Sequence, residues 1–362
     1  MTRILIVSPF PNLPGGVTNY VKLLHNQMDK EKFELKYLHY GKSGSLWKDI
    51  FYPFLIFNQI LQLKKILKNN NFELVHINPS LNYTSIVYAF IFLKIIKKNR
   101  IPVLFFIHGW QKNISKTFNS FFRKYFKNRF ELADAIVVLA NEFKKELIEL
   151  GIIPEKIIVS TTMVEFEKYY PGDKDFSKPY KILFCANMKK VKGPFAVLDS
   201  APTVLNIFPE TKFIFVGSGK DLYKLKEKAK EMKLIENIEF AGYVTEEQKR
   251  EIFKKSHIFA YPTEHGEGFP TVVLEAMAAG MPIVTTAIAG LKDALENGKQ
   301  GFIIKSKPPN PKEISENIIK LLEDEKNIEK ISGNNLKEVN QKYDVKVVCK
   351  QIENIYLSLL DS

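Results

Sequence analysis

Cysteine is nearly absent: the 362 residues hold two, Cys185 and Cys349, far apart. That excludes a disulfide framework and a cysteine-based metal cluster, and it fits a reducing cytoplasm. Long hydrophobic runs are missing as well. The most apolar stretches, 51–57 and 86–93, fall well short of the roughly 20 residues that cross a bilayer, so no transmembrane helix is expected. No signal-peptide pattern precedes the strand-like run Ile4-Leu5-Ile6-Val7, and there is no short repeat or low-complexity segment. Acids are the scarcer charge, 40 Asp and Glu against 53 Lys and Arg, for a net +13. The shortfall lies in the first half, where residues 1–175 carry 25 basic and 15 acidic side chains. A basic half suggests an anionic partner: a membrane surface, a phosphorylated acceptor or nucleic acid. No nucleic-acid-binding motif is present, which sets the last aside. What remains, 45% hydrophobic and 26% charged residues, is the composition of a soluble globular protein. The length favours two domains.

Short apolar runs alternate with helical patterns throughout. Strands are predicted at 3–8, 33–39, 73–77, 103–108, 135–139 and 156–160, with helices over 17–29, 54–68 and 141–151. The alternation restarts at 180–186, followed by 212–217, 237–240, 258–261, 282–286 and 301–304. Strands separated by helices imply right-handed crossovers and a parallel sheet covered on both faces. Two such series predict an α/β protein of two doubly wound, Rossmann-like domains facing each other. The expected boundaries are 1–170 for the first domain, 171–179 for a linker rich in Pro, Gly and charge, and 180–344 for the second. A closing helix within 345–362 is expected to pack back on the first domain.

The most informative stretch runs from Glu267 to Glu275, EGFPTVVLE, and continues into an apolar helix. Two carboxylates lie eight positions apart around a Gly-Phe-Pro turn and a helix start. Isolated glutamates are usually solvated, but Glu275 lies between Leu274 and Ala276, where an unpaired carboxylate would be costly to bury. Gly268 permits close backbone approach and Pro270 suits a helix entry. A helix start offers unpaired N–H groups and a positive dipole end to a diphosphate. Flanking acids can then hold the hydroxyls of a sugar and a ribose.

This segment resembles the signature of the retaining family-4 glycosyltransferases, which have the GT-B fold of two Rossmann-like domains across a cleft. The similarity extends through most of the chain and is strongest from 180 to 304. The resemblance implies that Glu267 contacts the donor sugar, that Glu275 holds the ribose hydroxyls, and that the backbone at Gly268, Phe269 and Pro270 lies along the donor. Pro270 itself lends no N–H, and the helix start at Thr271 would face the diphosphate. In Ala186-Asn187-Met188-Lys189-Lys190-Val191-Lys192-Gly193, Lys192 and Gly193 match the family's phosphate-neutralising loop. Asn187 stands where relatives carry Arg and brings no charge; Lys189 or Lys190 can compensate only as point charges.

Gly15-Gly16 follow the first strand and open a helix, the place where doubly wound folds bind ligands; the resemblance lays this loop over the donor phosphates and acceptor. His108 ends a strand, where relatives often carry a histidine near the donor sugar. His76 ends its strand in a similar way and reads as structural. Gly217-Ser218-Gly219 lacks the third glycine of a dinucleotide fingerprint. Asp173-Lys174-Asp175 spells a metal-binding D-x-D but falls in the linker, and His265 has no further ligands at metal spacing. The stretches 47–68 and 116–129 mix Phe with Lys and Arg. They can dock on an anionic membrane or pack Phe inward with lysines reaching outward.

The resemblance implies a glycosyltransferase that moves a sugar from a nucleotide diphosphate donor to a hydroxyl acceptor, with retention and without a metal or cofactor. The acceptor would be a glycan or lipid-linked, in surface polysaccharide or glycolipid synthesis. The location would be the cytoplasm or the inner face of the membrane. Two alternatives stand beside it: a sugar-nucleotide epimerase of the same fold, and a non-catalytic sugar-nucleotide-binding subunit, which the loss of Arg at 187 would suit.

Overall fold

The computed structural model describes residues 1–13, 15–41, 52–79, 83–110, 120–266 and 268–361. By internal contacts the chain divides into two units. One comprises residues 1–163, 267–269 and 345–362; the other comprises 164–266 and 270–344.

The first unit is built on a parallel sheet of β1 (Thr2–Ser8), β2 (Phe33–His39), β3 (Leu74–Ile77), β4 (Val103–Ile107), β5 (Ala135–Val138) and β6 (Ile157–Val159), in the order β2-β1-β3-β4-β5-β6. The second has β7 (Lys181–Cys185), β8 (Lys212–Val216), β9 (Ile238–Gly242), β10 (Ile258–Tyr261), β11 (Ile283–Thr286) and β12 (Gly301–Ile304), in the order β12-β11-β10-β7-β8-β9. Every strand pairing is parallel. Parallel strands need crossovers, and helices on both faces bury both sides of each strand. That is why Val103–Ile107 reads VLFFI and why all five of its residues are buried. All twelve predicted strands are present, with ends within two residues of expectation.

The last helix, Val345–Leu360, belongs to the first unit. Its buried residues Val345, Val348, Cys349, Ile352 and Tyr356 recur at helical spacing and join a core with Ile4, Ile6, Tyr20, Leu104 and Phe106. Tyr356 also reaches β3, where its hydroxyl lies 2.6 Å from His76 Nδ1. His76 stacks on Phe106, and burial holds its pKa down to about 3, as suits a structural ring.

The short helix Phe166–Tyr169 lies in the second unit, so the division falls seven residues before the expected end of the first domain at 170. Val164 bridges to Asp344, and the Phe166 N–H donates to Asp344 Oδ2 at 3.1 Å. The segment expected as a linker is fastened by Lys174. Its ammonium donates to the carbonyls of Lys254 at 2.8 Å and Ser256 at 2.5 Å, closing the end of helix Glu246–Lys255. Asp175 accepts from the Ser177 N–H and hydroxyl, a local turn.

Candidate functional site

In a doubly wound sheet, the loops at the carboxyl ends of the strands part where the strand order reverses. In the second unit that point lies between β7 and β10, so segments 186–193 and 262–271 flank it. In the first unit it lies between β1 and β3, followed by the loop to Gly15-Gly16 and by Asn78.

Segment 186–193 is held from below. The Met188 N–H donates to the Ser218 carbonyl at 2.9 Å, and the Lys190 N–H to Asp221 Oδ2 at 2.9 Å. A 3-10 turn, Lys190–Lys192, ends on Gly193 at φ 89°. Only glycine suits that position. A Cβ would meet the left-handed penalty and lie 2.4 Å from the Pro262 carbonyl oxygen, in the loop after β10. Gly193 therefore lets the two loops touch, and the Glu264 N–H donates to the Val191 carbonyl at 2.9 Å across the same seam. Lys192 is half-buried in this turn. The helix Pro194–Ile207 starts directly after it with no side-chain cap.

Asn187 is exposed, and its side chain lies over Gly219, where a Cβ would come within 2.6 Å of its Oδ1. Gly217 has φ 129° and passes so close to the Ala186 carbonyl that a Cβ would lie 2.0 Å from its oxygen. The Gly-Ser-Gly turn is thus the seat on which segment 186–188 rests.

The helix Thr271–Ala278 begins at Pro270 with no side-chain cap and no acid in its first turn. Its first N–H groups are the orphan donors on which an anion can settle. Glu275 lies on this helix and is 6% exposed. Its Oε1 accepts from the Lys249 ammonium at 3.0 Å. Burial works against the Lys249 charge, but Glu275 and Glu246 outweigh it and hold the ammonium above its usual pKa. Tyr169 completes the surroundings. Burial first, and then the Glu275 charge, raise its hydroxyl pKa. Cys185, at the end of β7, is pushed up to about 12 by burial and then by Glu275, an inert thiol.

Glu267 lies outside the described residues. Gly268 and Phe269 group with the first unit. A Cβ on Gly268 would lie 2.5 Å from Leu139 Cβ, and the Phe269 carbonyl accepts from the Thr162 hydroxyl at 3.3 Å. The glycine is thus explained by protein packing, where the sequence suggested close approach to a ligand.

In the first unit, His108 follows β4, with Nε2 2.8 Å from Asn78 Oδ1. Its ring stacks on Phe106 at 4.2 Å and meets Tyr20 edge-on at 4.7 Å. Burial, and then His76, hold its pKa down to about 3, so the ring is neutral and serves as a polar contact. Gly15 and Gly16 open the helix Gly16–Gln27 without a side-chain cap. Gly15 has extended backbone, and a Cβ on either residue would meet nothing within 4 Å among the described residues. Among the described residues, neither strain nor packing explains the pair.

Sequence reasoning missed Lys249, Tyr169 and Asn78. Lys249 is one lysine among many, 26 positions from Glu275, and the one local signal was the Thr245–Gln248 capping box that fixes where its helix starts. Asn78 could have been suspected from its place directly after β3.

The family model described as Glycosyl transferases group 1 matches residues 167–338, and that described as Glycosyltransferase Family 4 matches residues 14–168. The capsular polysaccharide biosynthesis glycosyltransferase CapM of Staphylococcus aureus is 26% identical over 241 residues, 63% of this chain and 62% of that protein. Phosphatidyl-myo-inositol mannosyltransferase of Mycobacterium tuberculosis is 28% identical over 174 residues, 47% of this chain and 45% of that one. The match thus spans about half to three-fifths of the length of these curated relatives. Among solved structures, Anabaena HepE in complex with UDP is similar with a TM-score of 0.77 and 17% identity, over 99% of this chain and 100% of that one. At that identity the likeness speaks for the fold.

Proposed function

Because the chain belongs to the family-4 glycosyltransferases of GT-B fold, we propose that it moves a sugar from a nucleoside diphosphate donor to a hydroxyl acceptor with retention at the anomeric carbon. The observation that carries this reading is the uncapped start of helix Thr271–Ala278, at the sheet's switch point, with buried Glu275 on the same helix. The diphosphate rests on the helix starts at Thr271 and Pro194 and is neutralised by Lys192, so charge that develops on the leaving group meets fixed positive poles. Glu275 takes the ribose hydroxyls, and Glu267 positions the transferred sugar. His108 and the Gly15-Gly16 loop serve the acceptor side. The departing phosphate assists deprotonation of the acceptor hydroxyl. No metal is needed, so EDTA leaves the rate within about twofold; a larger loss, restored by one divalent cation, would refute this part.

The relatives named for capsular polysaccharide and phosphatidyl-myo-inositol chemistry support a glycan or lipid-linked acceptor. The helix Tyr52–Asn69 supports action at the inner face of a membrane. It buries Ile56, Gln59, Leu63 and Leu67, yet leaves Phe54 71%, Phe57 57% and Leu61 47% exposed above Lys64, Lys65 and Lys68. No described helix is long and apolar enough to cross a membrane.

The test is a panel of UDP-, GDP- and ADP-sugars, scored by thermal stabilisation and by slow donor hydrolysis, with the anomeric configuration of the product read by NMR. One donor class should stabilise the chain and be hydrolysed, giving a product that keeps the donor's configuration. An inverted product would refute retention; epimerised donor without an acceptor would point to an epimerase. Asn187 favours one second reading, a non-catalytic sugar-nucleotide-binding subunit, which would bind a donor but show no turnover, whatever acceptor is offered.

A further inference from the structure

Lys249 occupies a position that helix energetics disfavour. It is the fourth residue of helix Glu246–Lys255, close to the positive end of the dipole, and its side chain is only 17% exposed. A cation there needs compensation. Two carboxylates supply it, Glu246 Oε2 and Glu275 Oε1, each at 3.0 Å. The Glu246 side chain is 71% exposed, and a solvated pair of that kind holds a geometry only weakly. The Glu275 side chain is 8% exposed, so the ammonium is in effect tied to that carboxylate. The bond uses one oxygen and leaves Oε2 to other donors. On the other side stands Tyr169, whose ring lies 6.0 Å from the Lys249 ammonium. Its hydroxyl is buried and has no hydrogen-bond partner of normal geometry among the described residues. Glu275 acts on this hydroxyl through a side-chain hydrogen bond as well as through its charge, yet the contact lacks the geometry of a full bond; buried hydroxyls are normally well satisfied, so one held this poorly beside a carboxylate can turn to a ligand.

We propose that Lys249 is a positioning residue of the nucleotide site: it holds Glu275 by one oxygen and leaves Oε2, with the Tyr169 hydroxyl, to bind the vicinal hydroxyls of the donor's ribose. The inference rests on reading Glu275 as the ribose ligand and adds how that ligand is set. A carboxylate fixed at one oxygen loses little freedom when a ribose arrives, whereas a loose one must be ordered at the moment of binding. The arrangement also recognises a diol, because a carboxylate oxygen accepts and a phenol can donate or accept.

The test measures discrimination between ribose and deoxyribose, a readout that a purely structural ion pair would not move. Binding of UDP, GDP and ADP to the full chain identifies the base by titration calorimetry, and the 2′,3′-dideoxy analogue of the bound nucleotide is then titrated. The wild-type chain should bind the ribonucleotide at least about tenfold more tightly, the scale of a hydrogen bond to a charged group. Lys249→Met should bring that ratio to within about threefold, and Lys249→Arg should keep most of it. Tyr169→Phe removes only the hydroxyl and should lower the ratio partway, which supplies a test if Lys249→Met does not fold. Glu275→Ala separates the two levels of the inference. If it abolishes the ratio while Lys249→Met and Tyr169→Phe keep it, Glu275 is the ribose ligand and the positioning role is wrong. If Glu275→Ala keeps the ratio, or none of the three nucleotides binds, the reading of the site fails and this inference with it.

Discussion

His108 shows how burial limits what a side chain can do. Its pKa, held down to about 3 by burial and by His76, keeps the imidazole neutral across the working range. It therefore cannot neutralise a phosphate, and it cannot be the group that titrates near pH 6.5 in a rate profile. Changing His108 to Gln should lower kcat/KM while leaving the shape of its pH dependence between about pH 5.5 and 8 as in the wild type. A limb that vanishes from the profile with the mutation would show that the ring does titrate there. Lys192 is the opposite case, a half-buried cation in the turn that leads to Gly193. Loss of one preorganised positive group from a site where charge develops costs roughly 100-fold. Lys192→Ala should therefore lower kcat/KM by about 10- to 100-fold, with thermal stability unchanged; normal steady-state kinetics would remove Lys192 from the site.

At the scale of the element, the sequence was most legible where periodicity is strict. The VLFFI run of β4 and the Val345–Leu360 helix with its 345, 348, 349, 352, 356 stripe can be read directly, because burial on two faces or on one leaves distinct patterns. The loops were legible only through glycine, and even there the reasons differ. Gly193 is demanded by a left-handed turn against Pro262, Gly268 by Leu139, and Gly15 by nothing among the described residues. Sequence cannot distinguish these, because the partner of each lies in a distant segment. The same limit hid Lys249 and Tyr169, whose relation to Glu275 exists only after three helices pack. Two element-scale tests follow from the contacts. Gly193→Ala forces both backbone strain and a collision with the Pro262 carbonyl, so it should weaken donor binding more than it lowers the melting temperature. Equal melting and equal donor affinity would show that the seam between the two loops yields. Ile352→Ala removes a fully buried side chain from the closing helix and should cost about 2–5 kcal/mol, read by chemical denaturation; a loss below about 1 kcal/mol would mean that the helix adds little to its core.

For the whole molecule, charge and burial give two consequences. The basic first half and the exposed Phe54, Phe57 and Leu61 predict that vesicles rich in anionic phospholipid retain the chain in flotation at low salt. Phe54→Ser with Phe57→Ser should release it, whereas equal retention by neutral vesicles would exclude an electrostatic component. Of the other membrane candidate, 116–129, residues 116–119 lie outside the described residues; in the described part Phe126 turns into the core and Arg123 binds the Glu149 carbonyl. The second consequence concerns acid. Burial lowers the pKa values of His76 and His108 in the first unit to about 3 and that of His257 in the second to about 4, from the usual 6.5. With folded values below the unfolded one, the unfolded chain binds the proton first. The stability these rings contribute is therefore complete above about pH 6.5 and is lost as pH falls towards the folded values. Each loses about 1.4 kcal/mol per pH unit, so roughly 2 kcal/mol apiece should go between pH 6.5 and 5. The carboxylates with lowered pKa values, Asp29, Glu34, Asp175 and Glu313, ordinarily titrate at 3.8 or 4.5 and lose their contribution only at lower pH. The fall between pH 6.5 and 5 thus belongs to histidine. It should appear as a steady drop in melting temperature that His76→Asn and His257→Asn each flatten relative to their own values at neutral pH. A melting temperature constant from pH 7 to 5 would mean that all three rings accept the proton without unfolding the chain.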